Sequence, residues 1–340
     1  MPLVSVVKCD QIAIDEAVNR AIDLIDGLEN VKGKKNVSIK PNLCTPKSSA
    51  CGATTDPRII EALIRKINSV MPCQIKIVET NNFRANADET FKYLGYDVLS
   101  QRYENVRCVN LSNDPRVRVQ VNGEIFSTML FPESMIFSDG LISVAKLKTH
   151  VDYLYTGVLK NQYGFLLGPR AHYHGFMSRA IVDLNRFYRP DLSVIDGIVG
   201  MEGAGPVDGD PKCSGVIIAS KDPVAADAIA ARIIGIKPSS IAYLRYAEKK
   251  GIGTWKDIKV VGCNVDEVAT SFAFIPTKYY YVGEISIALQ RYSRYARNFA
   301  NFLSLARNAL SILGLSAIEK RMSYSGLLHL ATDTIFKLEE

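Results

Sequence analysis

The chain has 340 residues, 47% of them hydrophobic and 22% charged, enough for one large or two moderate packed domains and too apolar for a disordered chain. A formal charge of +6 is modest for this length and fits an anionic ligand, an acidic partner or ordinary surface composition. Seven scattered Cys with no C-x-x-C pair argue against a disulfide framework, and the start MPLVSVVKCD lacks the basic-then-apolar pattern of a secretory signal. With no uncharged apolar run of about 18 residues, a soluble cytoplasmic protein is the expectation.

Short β-rich segments at 3–7 and 37–39 flank apolar positions Ile12, Ala17, Val18, Ala21, Ile22 and Ile25 at helical spacing, giving a strand, helix, strand unit. Pro41 stops the second strand, so Lys40, Asn42 and the loop carrying Thr54 and Thr55 should emerge at its C-terminal end. Asp56-Pro57 reads as a cap and first turn, and Ile59, Ile60, Leu63, Ile64 and Ile67 continue a one-sided helix. A strand over 75–78 then ends at Glu79. Residues 97–130 read as a β-rich excursion, with a hairpin signal at Asn122-Gly123. The alternation resumes with a strand at 141–144, a helix near 176–187, strands at 192–195 and 216–219, a helix at 223–234 capped by Asp222, and a last strand at 258–261. The fold class is α/β, a mixed or mostly parallel sheet with flanking helices. It occupies residues 1–265 and is followed by a helical extension over 266–340.

Lys146 and Lys148 lie two apart, so a strand running through them would place both on one face, with His150 able to join them. Lys160-Asn161 and the pair His172 and His174 follow shortly after. Amines grouped with imidazoles can neutralise a carboxylate or phosphate and leave one group to move a proton. His150, His174 and Lys148 are therefore the candidate catalytic residues, and Lys40, Asn42, Thr54, Thr55, Lys146, Lys160 and Asn161 the candidate anion-binding set. Glu79, Asp196, Glu202, Asp208 and Asp227 are the supporting acids. Three of them, Asp196, Glu202 and Asp208, sit in or beside a Gly-rich segment expected to form a loop over 196–211. Hard oxygen ligands there would suit Mg²⁺. Asp227 lies in the helix AADAIAA, facing either a cleft or solvent. No P-loop or dinucleotide fingerprint is present, and the two-residue His spacing alone makes no zinc site.

Together IKPNLC, TTDP, IVET, VAKLKTH, GVLKNQYG, YHGFMSRAIVDL, IDGIVGMEGAGPVDGDP and ASKDPVAADAIAARIIG resemble the family named domain of unknown function 362 (DUF362), across residues 3 to 262. The resemblance implies an α/β protein of bacterial or archaeal type. Some relatives carry ferredoxin-like Cys clusters; this chain lacks the repeated C-x-x-C spacing, so an iron–sulfur centre is not carried over.

The leading expectation is an enzyme acting on a small carboxylated or phosphorylated metabolite, an isomerase or lyase assisted by Mg²⁺ or by Lys and His alone. Its rival is a non-catalytic anionic-ligand-binding or assembly protein, in which the Arg- and Tyr-rich segment 279–340 contacts a membrane or a protein partner. A homo-oligomer is compatible with either. Nucleic acid is disfavoured, because no recognition motif accompanies the basic residues.

Overall fold

The computed structural model describes residues 1–9, 12–82, 84–168 and 170–274. The helical extension assigned to 266–340, and the membrane or partner contact assigned to 279–340, lie outside the described residues from 275 onward. Eleven strands are described: β1 (Leu3–Lys8), β2 (Asn36–Pro41), β3 (Gln74–Glu79), β4 (Val106–Asn110), β5 (Arg116–Gln120), β6 (Thr128–Pro132), β7 (Gly140–His150), β8 (Leu154–Thr156), β9 (Leu192–Glu202), β10 (Asp210–Ser220) and β11 (Lys259–Gly262). The main sheet runs β11-β1-β10-β9-β7-β2-β3-β4, with β8 hydrogen-bonded to β7. The pairs β1–β11, β2–β3, β2–β7, β3–β4 and β7–β9 are parallel, whereas β10 is antiparallel to both its neighbours.

The helices are α1 (Ile14–Asp23), α2 (Pro57–Val70), α3 (Ala87–Tyr93), α4 (Tyr96–Arg102), α5 (Glu133–Ile136), α6 (Val158–Asn161), α7 (Met177–Phe187), α8 (Pro223–Ile233) and α9 (Ala242–Lys249). Alternation along β7 assigns them to two layers. Ile142 and Val144 join a core with α1 and α2, while Leu141, Ala145 and Leu147 join a second core with α7, α8 and α9. Each fully buried aliphatic side chain contributes about 1.5–3 kcal/mol. A one-residue slip of β7 would exchange the two sets, and this fixes the register that positions its lysines.

Two stretches differ from the sequence expectation. Residues 96–102 form α4, because Tyr96 and Leu99 bury one helical face, and β4 joins the main sheet as its edge strand. Within 97–130 β5 and the start of β6 do form a separate antiparallel hairpin about Asn122-Gly123, as expected, but through the longer loop 121–127. Gly123 serves close approach there rather than a two-residue turn: a Cβ would meet the Asp183 carboxylate at 2.3–2.6 Å, and that carboxylate accepts the N–H groups of Glu124, Ile125 and Phe126. The segment 196–211 is mostly a β-hairpin. β9 extends to Glu202 and β10 starts at Asp210, so only 203–209 form a loop. Glycine inside a paired strand marks close packing as readily as a turn. Among the described residues no helix is long and apolar enough to cross a membrane.

Candidate functional site

Parallel pairing of β2, β3, β7 and β9 brings their C-terminal ends to one rim of the sheet, where open α/β sheets gather ligands. β7 runs through to His150, so Lys146 and Lys148 share one face of a strand that is buried along its whole length. Lys146 donates to Asp196 at 2.7 Å, and Asp196 also accepts the N–H groups of Asp56 (2.8 Å) and Ile198 (3.1 Å). Lys40 donates to both Glu79 oxygens at 2.9 and 3.0 Å, and Glu79 accepts from the N–H groups of Leu43 and Thr80. Burial holds the Lys40 amine below the ordinary lysine range, opposed by Glu79. These are closed, buried ion pairs. Each is expensive to break, while the desolvation of both charges offsets much of their attraction.

Lys148 is different in kind. Its ammonium is fully buried without a carboxylate and is surrounded by Ala53 O (2.6 Å), Asn42 Oδ1 (2.9 Å), Pro206 O (3.1 Å) and Cys44 Sγ (3.3 Å). Three N–H donors face four acceptors, so this amine has no donor left for a ligand. Burial also pushes it below its ordinary range.

Lys160 has neither arrangement. Its Nζ lies 5.5 Å from the centre of the Tyr153 ring and makes no hydrogen bond or ion pair among the described residues. Burial pushes this amine down to about 8; Asp152 and Cys44 favour its charge, and Lys148 and Arg170 oppose it. The sequence GVLKN sets its position. Asp227 accepts the N–H groups of Val158 (2.6 Å) and Leu159 (3.0 Å) at the head of α6. Gly157 makes room for that carboxylate, since a Cβ there would lie 2.1 Å from Asp227 Oδ1. At the far end, Asn161 donates to Lys40 O and Ser143 Oγ, both at 3.1 Å, and accepts from Asn42 Nδ2 at 3.2 Å. α6 is thereby clamped at both ends, with Lys160 between the clamps.

Asp227 thus faces neither cleft nor solvent. It is fully buried, and burial pushes its carboxyl up to about 7 against the pull of its hydrogen bonds. Thr54 and Thr55 are buried and serve the backbone: Thr54 Oγ1 donates to Lys47 O, and Thr55 Oγ1 bridges Val144 O and the N–H of Asn42. Glu202 accepts from Ala273 N, and Asp208 pairs with Lys47 and Arg84. The acids expected around Mg²⁺ are therefore dispersed over separate contacts. Among the described residues no three His, Cys, Asp or Glu side chains gather as a metal site.

His150 is buried at the end of β7, where its Nδ1 accepts the N–H of Asp152 at 3.1 Å. Its ring packs edge-on against Tyr153 at 5.1 Å, and His174 packs edge-on against the same tyrosine at 6.3 Å. Tyr153 thus joins Lys160 to both imidazoles, although its sequence context carries no signal of that. Arg170 was equally hidden: it is tied to Thr80 Oγ1, Leu166 O and Gly164 O, and acts on Lys160 only through its charge. A groove of about 510 Å³ lined by Pro46, Asn82, Arg84, Asn86, Glu89 and Tyr93 includes none of these lysines.

A family model described as a domain of unknown function (DUF362) matches residues 37–232, from β2 into α8 and more than half of the chain. The chain belongs to the DUF362 family. The DUF362 match takes in every candidate residue from Lys40 to Asp227. A thylakoid-associated protein of Synechocystis sp. is 27% identical over 245 residues, covering 68% of this chain and 73% of that protein. The lactate racemase apoprotein of Thermoanaerobacterium thermosaccharolyticum is 13% identical with a TM-score of 0.47, covering 69% of this chain and 57% of the racemase.

Proposed function

We propose that this DUF362 protein is an enzyme that takes a small carboxylated or phosphorylated metabolite at the C-terminal rim of its sheet and moves a proton on it, as an isomerase or lyase does. The observation that carries this reading is the amine of Lys160, free of hydrogen bonds among the described residues, beside lysines held by carboxylates or by a ring of acceptors. Lys148 and Arg170 add positive potential at the same point, which favours an anion in a desolvated setting. His150 and His174, on either side of Tyr153, supply the acid/base pair, because imidazole changes charge near neutral pH. The amines and imidazoles carry this chemistry.

The test is a panel of small carboxylates and phosphates, scored by thermal shift and then by proton NMR for exchange of substrate C–H with deuterated solvent. Binding of at least one member, with affinity falling about tenfold or more in Lys160→Met, is expected for loss of a charge-assisted contact. A panel that neither shifts the melting temperature nor exchanges a proton overturns the reading.

A further inference from the structure

We propose that Lys160 forms an imine with its substrate, and that the substrate class is a small carbonyl compound bearing a carboxylate, such as a 2-oxo acid. This rests on the anion-binding reading and adds a covalent step to it. An amine attacks a carbonyl only through a free lone pair, so a lysine locked in an ion pair or ringed by acceptors is a poor nucleophile. Lys40 and Lys146 are locked in that way, and Lys148 is ringed. Lys160 has the Tyr153 ring beneath its Nζ and no hydrogen-bond partner among the described residues. Desolvation together with neighbouring cations is a recognised way to raise the free-base fraction of a lysine amine, and Lys148 and Arg170 are those cations. They also give the site the charge to draw in a carboxylate, which an apolar pocket alone would not. The clamp on α6 by Asp227 and Asn161 fixes the backbone from which the attacking nitrogen extends, which narrows the positions it can take.

The step balances without an oxidant or reductant. The Lys160 lone pair forms an N–C bond as the carbonyl π pair moves to oxygen, which takes up a proton. The resulting carbinolamine loses that oxygen as water, carrying off both protons that the amine nitrogen gives up. Asp152, whose charge acts on Lys160, and His150, whose Nδ1 accepts the Asp152 N–H, are the nearby groups for these proton transfers. Once protonated, the imine draws electrons from an adjacent C–H or C–C bond, which is the bond an isomerase or lyase must weaken.

The experiment uses the full chain with glyoxylate and pyruvate as probes at pH 7 and cyanoborohydride to reduce any imine to a stable secondary amine, located by peptide mass spectrometry. An amine near 8 has on the order of a hundredfold more free base at pH 7 than an ordinary lysine. Lys160 should therefore be labelled at least about tenfold faster than the exposed Lys92 and Lys249, and lactate, a carboxylate without a carbonyl, should protect it. Labelling of Lys160 no faster than Lys92 and Lys249 overturns the proposal. If lactate still raises the melting temperature in that case, the anion-binding reading survives alone; if no anion does, both fall.

Discussion

Replacing Asp227 with Asn isolates a charge that the fold buries completely and uses to hold α6. The folded carboxyl sits near 7, against about 3.9 in an unfolded chain. Because the folded value is raised, proton binding stabilises the native state fully below about pH 4, and this stabilisation is lost as the pH rises through 7. Between those values the linkage integral gives about 2.7 kcal/mol at pH 5 and less than about 0.1 kcal/mol at pH 8. Asparagine does not titrate, so the variant lacks this slope. It also turns an amide NH₂ toward the N–H of Leu159, which adds a pH-independent cost of about 1–3 kcal/mol for the unsatisfied donors. Urea unfolding of both proteins at pH 5 and pH 8 should show the stability gap shrinking by about 2–3 kcal/mol at the higher pH. A gap equal at both pH values would mean that the two backbone N–H groups keep Asp227 ionised throughout, refuting the claim that burial dominates.

Gly157→Ala forces a methyl group against Asp227 Oδ1 and should lower stability by about 1–3 kcal/mol in a denaturant titration; an unchanged midpoint would show that the carboxylate can withdraw at no cost. Lys146→Met leaves Asp196 buried without its cation, so a loss of about 3–5 kcal/mol is expected, and a loss under about 1 kcal/mol would indicate that the N–H groups of Asp56 and Ile198 suffice. Lys148→Met strands Ala53 O, Pro206 O and Asn42 Oδ1 and should cost about 3 kcal/mol by the same measurement. Lys160→Met should stay within about 0.5 kcal/mol of the native chain, since its amine gives up no hydrogen bond; a large loss would reveal a structural role.

The strand and helix order was legible because periodicity and caps are local. Asp56 and Asp222 cap α2 and α8 through their side chains, at the heads where Asp-Pro placed them. The lysines of β7 were legible as a group because a strand's period of two follows from the sequence alone. What the sequence could not distinguish is which lysine is open. Lys146 and Lys148 look alike two residues apart, yet one meets a carboxylate 50 residues downstream and the other a ring of carbonyls from two distant loops. Asp227 was obscure for the same reason: its partners are backbone N–H groups 68 and 69 residues upstream, and backbone groups leave no mark on residue identity. The Gly-rich acidic segment misled because glycine signals both turns and tight strand packing, and in β9 it serves the second.

The placement of β1 imposes a timetable on the ribosome. Its neighbours are β10, through Val4 opposite Ser220, and β11, through Leu3 opposite Lys259. β1 therefore waits for strands made about 200 residues after it. At about 5–20 residues per second the chain needs roughly 10–40 s to reach the first of these partners. Throughout that interval LVSVVK exposes both hydrogen-bonding edges and its buried-to-be valines, the kind of segment that pairs with the wrong chain. Nascent chains halted before residue 216 should accordingly recruit holdase chaperones to Leu3–Lys8, and release from them should coincide with emergence of β10 from the exit tunnel.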